Sequence, residues 1–251
     1  GAGELLPVDS EHSAILQCLG GRPATEVSRI ILTASGGPFR EWPASRFGDI
    51  RPADALAHPT WSMGSKITID SATLANKALE VIEGHLLFGI PYDQIEVVVH
   101  PASIVHSMVE FRDGSTVAQL SHPSMEVPIL YALTAPERLP DEFRTYDPVE
   151  SGPLVFERLR REDFPMFELG VAAGRTGGTA PAVYNAANEV AVQAFLEERI
   201  GFADIPVVVA DTLSALPVTA VESVAHLIEV DTRARSVTAD RIGTPSAAGG
   251  G

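Results

Sequence analysis

Three carboxylates and a lysine carry the strongest chemical signal in this chain. Asp9 and Glu11 stand two apart in Leu6-Pro7-Val8-Asp9-Ser10-Glu11-His12, so on an extended segment both carboxylates point the same way. A helix that begins near Glu11, with Asp9 or Ser10 as its N-cap, is the other reading of the same acids, and spacing does not separate the two. Glu80 ends the run Asp70-Ser71-Ala72-Thr73-Leu74-Ala75-Asn76-Lys77-Ala78-Leu79-Glu80. With Asp9 and Glu11 it would offer hard oxygen ligands, which suit octahedral Mg²⁺ or Mn²⁺ rather than Zn²⁺, a cation that prefers nitrogen and sulfur. Ser71 reads as the N-cap of a helix over 71–88, whose first-turn N–H groups and partial positive charge suit a phosphate, with Lys77 adding a full charge. Helical spacing sends Ala72, Ala75, Leu79, Ile82 and Leu86 to the core and Thr73, Asn76, Lys77, Glu80 and Glu83 to the opposite face. The plain alternative for that face is a solvated surface with a Lys77–Glu80 pair.

The elements that must position these groups read as α/β first and helical later. Residues 27–33, 96–99, 103–111 and 116–120 read as strands of one mixed sheet, with Asp113-Gly114 as a hairpin turn. The first strand ends in Ala34-Ser35-Gly36-Gly37-Pro38, a small turn that lets backbone approach a phosphate closely. Residues 42–64, rich in Pro and Ala, form a long segment carrying Trp61 and Met63, and a lid over a bound ligand is the expectation. Helices are expected at 11–19, 71–88 and 125–133, then at 167–173, 179–198, 202–213 and 220–230, with Gly174 and Gly201 as stops. The fold class is therefore an α/β (α+β) catalytic domain with a mixed sheet over 1–133, a connecting linker at 134–163, a C-terminal four-helix domain at 164–235, and a disordered tail at 236–251.

Five ordered motifs make the reading specific: Pro-Val-Asp-Ser-Glu-His from Pro7, Ala-Ser-Gly-Gly-Pro-Phe-Arg from Ala34, His-Pro-Thr-Trp-Ser-Met-Gly from His58, the run from Asp70 to Glu80, and His-Pro-Ala-Ser-Ile-Val-His-Ser-Met from His100. With Ala-Pro-Ala-Val-Tyr-Asn-Ala-Ala-Asn-Glu from Ala180, the chain resembles the 1-deoxy-D-xylulose 5-phosphate reductoisomerase family from about residue 6 to about residue 228. The resemblance implies a metal-dependent rearrangement and NADPH-dependent reduction of that sugar phosphate to 2-C-methyl-D-erythritol 4-phosphate, in non-mevalonate isoprenoid biosynthesis. It implies metal ligands at Asp9, Glu11 and Glu80, with Lys77, Glu11 and Glu80 as catalytic groups. Substrate contacts fall on Ser10, Ser35, His58, Trp61, Ser71, Asn76, Lys77 and Glu80, and nicotinamide contacts on Met63 and Gly64. His106 and Met125 also match pocket positions, although a histidine on an apolar strand is more often a satisfied core residue. No Gly-x-Gly-x-x-Gly follows a strand, so the expectation is a piece of the whole enzyme, with the main hydride-donor site on a nucleotide-binding domain outside it. A metal-dependent sugar-phosphate binding fragment and a dimerisation scaffold are the rival readings.

Composition sets the outer limits. The 251 residues, 45% of them hydrophobic, can hold a substantial core and exclude global disorder. A net charge of −15 argues against nucleic acid and anionic membranes as partners. Cys18 is the single cysteine, so no internal disulfide forms and a reducing compartment is the expectation; the resemblance implies a cytoplasmic homodimer acting on a phosphorylated small molecule.

Overall fold

The computed structural model describes residues 5–57, 60–61, 63–140 and 145–243. In chain order the helices are α1 (Ser10–Leu19), α2 (Pro52–Ala55), α3 (Ser65–Thr73), α4 (Ala75–Phe88), α5 (Glu126–Thr134), α6 (Pro165–Thr176), α7 (Ala180–Leu196), α8 (Asp204–Ala215) and α9 (Val224–Gly243). The strands are β1 (Val27–Ala34), β2 (Ile95–Val99), β3 (Val105–Phe111), β4 (Thr116–Leu120) and β5 (Glu157–Arg158). The chain folds as two compact units, one of Gly1–Gly36 and Glu83–Leu159, the other of Gly37–Ile82 and Arg160–Gly251.

The first unit is built on a five-stranded mixed sheet of order β4-β3-β1-β2-β5. β1 lies at its centre because Val27, Ile30, Ile31 and Leu32 are apolar or β-branched and bury on both faces. It pairs in parallel with β2, Leu32 opposite Val97, and antiparallel with β3, Leu32 opposite Ser107. At its amino end Arg29 bridges Glu96 at 2.5 Å and Glu110 at 2.7 Å across both neighbours. The turn between β3 and β4 holds Gly114 at φ +86°, and Asp113 Oδ1 accepts from the Ser115 N–H at 2.9 Å, as the Asp-Gly signal predicts. The carboxyl-terminal part of α4 approaches the sheet closely: a Cβ on Gly84 would lie 3.6 Å from Ile30 Cδ1.

In the second unit Phe39 meets Trp42 and Phe202 edge-on at 5.1 and 5.2 Å between ring centres, and Phe47 meets Phe164 at 5.3 Å. Val183, Ala186, Leu216 and Ala234 form a further core cluster. Gly170 on α6 lets three helices close up, because a Cβ there would stand 2.5 Å from Ala78 Cβ on α4 and 2.8 Å from the Tyr184 ring on α7.

Several expectations change. The helix expected over 71–88 is two helices: α3 ends at Thr73, Leu74 turns left-handed at φ +64°, and α4 starts at Ala75. Ser71 therefore lies in the last turn of α3 rather than at the start of a helix. Leu86 is 71% exposed rather than in the core. The first part of the 42–64 segment is packed, with short 3₁₀ and α turns over Ala44–Asp49 and Pro52–Ala55 that bury Phe47, Ile50 and Ala55. The stretch 134–163 is more than a linker, since β5 joins β2 at Val98 and Val99. α6 runs through Gly174 and stops at Gly177, φ +70°. α9 continues past Ser236 to Gly243, because Thr238 is buried and its hydroxyl donates to Ala234 O at 2.7 Å; the tail expected from 236 thus overlaps a helix.

Candidate functional site

In the first unit the acidic group gathers at the amino end of α1. Asp9 is the N-cap residue with extended-type ψ 136° and makes no side-chain cap bond, while Glu11 sits in the first turn. The helix-start reading of these acids holds, and the extended-segment reading does not. The Ser10 hydroxyl donates to the Glu11 carboxylate. His12, 1% exposed, places Nδ1 3.5 Å from Glu83 Oε2 and 3.9 Å from Asp9 Oδ2. Asp9, His12 and Glu83 can each bring one ligand atom within 4.8 Å of the others, a grouping that only the Asp9–His12 spacing of one helical turn foreshadows. Ser35 is half-buried just past the carboxyl end of β1.

In the second unit the polar face of α4 is buried, not solvated. Lys77 is 5% and Glu80 1% exposed. The Lys77 ammonium lies 2.5 Å from Glu80 Oε2, and Asn76 Nδ2 donates to Glu80 Oε1 at 2.7 Å. A charged pair leaves water only where each member is held by the other and by further hydrogen bonds, the arrangement found here. Ser71 is half-buried, and the backbone of Gly37 runs against it: a Cβ on Gly37, φ +67°, would stand 2.7 Å from Ser71 O. Only glycine fits that close approach, so the Ser-Gly-Gly turn has a concrete reason for its second glycine. Gly64 serves as N-cap of α3 and accepts the Thr68 N–H at 3.1 Å and the Thr68 hydroxyl at 2.9 Å. Trp61 and Met63 are half-buried, and His58 lies outside the described residues.

Within the first unit, then, Asp9, Ser10 and Glu11 come together; within the second, Asn76, Lys77 and Glu80 do, with Ser71 on the α3 side of the same corner. His106 is 3% exposed with Nε2 2.9 Å from Ser121 Oγ, and Met125 is 37% exposed at the start of α5. Sequence reasoning missed Asp70 and Asn188. Asp70, 1% exposed, accepts from Asn188 Nδ2 at 2.8 Å and stands 2.7 Å from Lys66 Nζ. Burial pushes its carboxyl above the ordinary range, against the pull of Lys66 and Asn188. No local signal could reveal this pair, whose members are separated by 118 positions.

A mixed-sheet unit with Asp9 and Glu11 at the start of α1, and a helical unit with Lys77 and Glu80 buried along α4, define an α/β protein with acidic and basic groups gathered in each unit. The chain belongs to the 1-deoxy-D-xylulose 5-phosphate reductoisomerase family. Residues 5–88 match the family model of the 1-deoxy-D-xylulose 5-phosphate reductoisomerase C-terminal domain, and residues 120–237 match that of the DXP reductoisomerase C-terminal domain. It is 54% identical over 235 residues to the 1-deoxy-D-xylulose 5-phosphate reductoisomerase of Synechococcus sp. (strain JA-2-3B'a(2-13)), covering 94% of this chain and 60% of that protein. It is 55% identical over 238 residues to that of Chloroherpeton thalassium, covering 95% and 62%. The reductoisomerase of Zymomonas mobilis, solved in complex with NADPH, superposes with TM-score 0.91 at 42% identity over 96% of this chain and 62% of that one. A DOX-P reductoisomerase solved with NADPH, fosmidomycin and magnesium gives 0.86 at 38% identity, over 95% and 63%. The chain thus spans about three-fifths of the length of the relatives it matches.

Proposed function

We propose that this chain carries the substrate and metal site of a 1-deoxy-D-xylulose 5-phosphate reductoisomerase, which isomerises that sugar phosphate and reduces it with NADPH to 2-C-methyl-D-erythritol 4-phosphate. The observation that carries the reading is the buried Lys77–Glu80–Asn76 group, on a chain whose relatives are named for that reaction. Asp9, Glu11 and Glu80 would hold Mg²⁺ or Mn²⁺. Their fit rests on donor chemistry: all three offer carboxylate oxygen, the ligand type those cations select. A cation bound there supplies Lewis-acid polarisation and a template for substrate oxygens.

The chain's own residues do the rest. Ser35, Ser71, Asn76 and Lys77 bind the phosphate end, a remote anchor whose binding energy positions the reacting carbons. Ser10 contacts a substrate hydroxyl, and Lys77 and Glu11 sit where a proton or a developing charge must be managed. His58 lies near the phosphate contacts, Trp61 covers the substrate's carbon chain, Met63 and Gly64 stand toward the nicotinamide, and Trp61 and Met63 exclude water. A narrower reading, a metal-dependent sugar-phosphate binder, draws on the same buried Lys77–Glu80–Asn76 group. The working protein is a cytoplasmic homodimer on this reading. β4 is an edge strand with its first residues exposed, and nearby in sequence α5 leaves Ile129 42% and Leu133 79% exposed, an apolar surface suited to a second copy. Among the described residues no helix is long and apolar enough to cross a membrane.

Calorimetric titration with 1-deoxy-D-xylulose 5-phosphate tests the reading, run with Mn²⁺ and with the metal chelated. Binding should need the metal and should fall at least about tenfold in Asp9→Asn, a half-exposed position safe for folding, and in Glu80→Gln. Metal-independent binding, or none by the folded chain, would overturn it.

A further inference from the structure

The corner between α3 and α4 carries Ser71 on one side and Asn76 and Lys77 on the other. It is not a relaxed turn. Leu74, 3% exposed, stands at φ +64°, a conformation that is unfavourable for a residue with a Cβ. Local bonds contribute: the Thr73 hydroxyl donates to Asp70 O at 3.3 Å, and its oxygen accepts from the Ala75 N–H at 3.3 Å. The longer-range hold is on Asp70, next to Ser71 in the chain. Lys66 meets its Oδ2 at 2.7 Å from a side chain 42% exposed. Asn188 meets its Oδ1 directly at 2.8 Å.

Asn188 is itself fully buried, and α7 beneath it is firmly set. One turn earlier, Tyr184 is 0% exposed and donates its hydroxyl to Met166 O at 2.9 Å, and its ring closes against Gly170. Asn188 Oδ1 is buried with no hydrogen-bond partner among the described residues. Such an orphan is costly, so a residue serving packing alone would be better replaced by an apolar one. What asparagine adds over leucine here is one directed donor to a buried carboxylate.

We propose that Asn188 is a positioning residue, which by holding the Asp70 carboxylate fixes the α3–α4 corner so that Ser71, Asn76 and Lys77 present themselves together to a phosphate group. This rests on the proposed reading of those three residues as phosphate contacts. The hold is directional and neutral: it aims Asp70 without cancelling its charge, and it transmits the rigidity of α7 to a strained corner of the site.

The test titrates the 251-residue chain with Mn²⁺ alone, then with 1-deoxy-D-xylulose 5-phosphate in saturating Mn²⁺. Asn188→Leu keeps the volume and removes the donor; the swap Asp70→Asn with Asn188→Asp restores one hydrogen bond between the same two positions. The single variant should bind the sugar phosphate about tenfold more weakly with Mn²⁺ affinity unchanged, and the swap should recover most of the loss. Asn188→Ser, a shorter and polar replacement, stands in if the leucine variant does not fold. Sugar-phosphate affinity within about twofold of the parent, parallel loss of Mn²⁺ affinity, or a swap no better than the single variant would each overturn the positioning role. A parent chain that binds Mn²⁺ but no sugar phosphate would overturn the phosphate reading itself, before any variant is compared.

Discussion

Lys77 and Glu80 make each other's burial possible. With the ammonium 6% and the carboxylate 2% exposed as side chains, removing either partner strands a charge away from water. Lys77→Met should lower the unfolding free energy by about 3 kcal/mol, measured by urea denaturation, and the double variant Lys77→Met/Glu80→Gln should regain much of that. A single variant as stable as the parent would show that the pair is wetter than its geometry implies. At this scale the residue types were legible in the sequence and their environment was not. The three-residue spacing of Lys77 and Glu80 announced a pair. It could not announce that both side chains are buried, a property of the tertiary packing around α4. Asp113 shows the opposite case: its bond to the Ser115 N–H and hydroxyl lies within the turn, the hairpin was legible from Asp-Gly alone, and the same bonds to Ser115 hold its carboxyl below the usual range.

Among elements, the strands were the most legible, because alternation and β-branching are local properties. The expected 116–120 is β4, and 27–33 falls one residue short of β1. The break between α3 and α4 was not legible. Leu74 is neither Gly nor Asn, and its left-handed turn is imposed by tertiary holds rather than by its own preference. Likewise the segment after Trp42 looked like loop by composition, yet Phe47 and Ile50 find buried positions, Phe47 beside Phe164 and Phe202, far along the chain. Helix-on-helix closeness in the second unit makes a sharp prediction. Gly170→Ala puts a methyl group 2.5 Å from Ala78 Cβ and should destabilise the chain by about 1–3 kcal/mol through overpacking, seen as a lower urea midpoint at unchanged slope. An unaltered midpoint would mean that α6 can slide without cost.

For the whole molecule, a net charge of −15 sets what the surface attracts. No retardation of duplex DNA should be seen in a gel-shift titration at about 100 mM salt, where association depends on cationic contacts to phosphate; a salt-sensitive complex would contradict that. On the proposed reading, affinity for a small phosphate is then local, resting on the cations near the α3–α4 corner. The two units are each assembled from separated stretches of chain, and this bears on synthesis. As the polypeptide leaves the ribosome, β1 emerges with Ile30 and Leu32 long before their partners on β2 and β3 exist, and Asp70 is exposed 118 positions ahead of Asn188. Neither unit can close early, so a long nascent segment of apolar strand and acid-rich helix must stay unaggregated until its mates arrive. The way the two units share the chain therefore sets how late each of them can close.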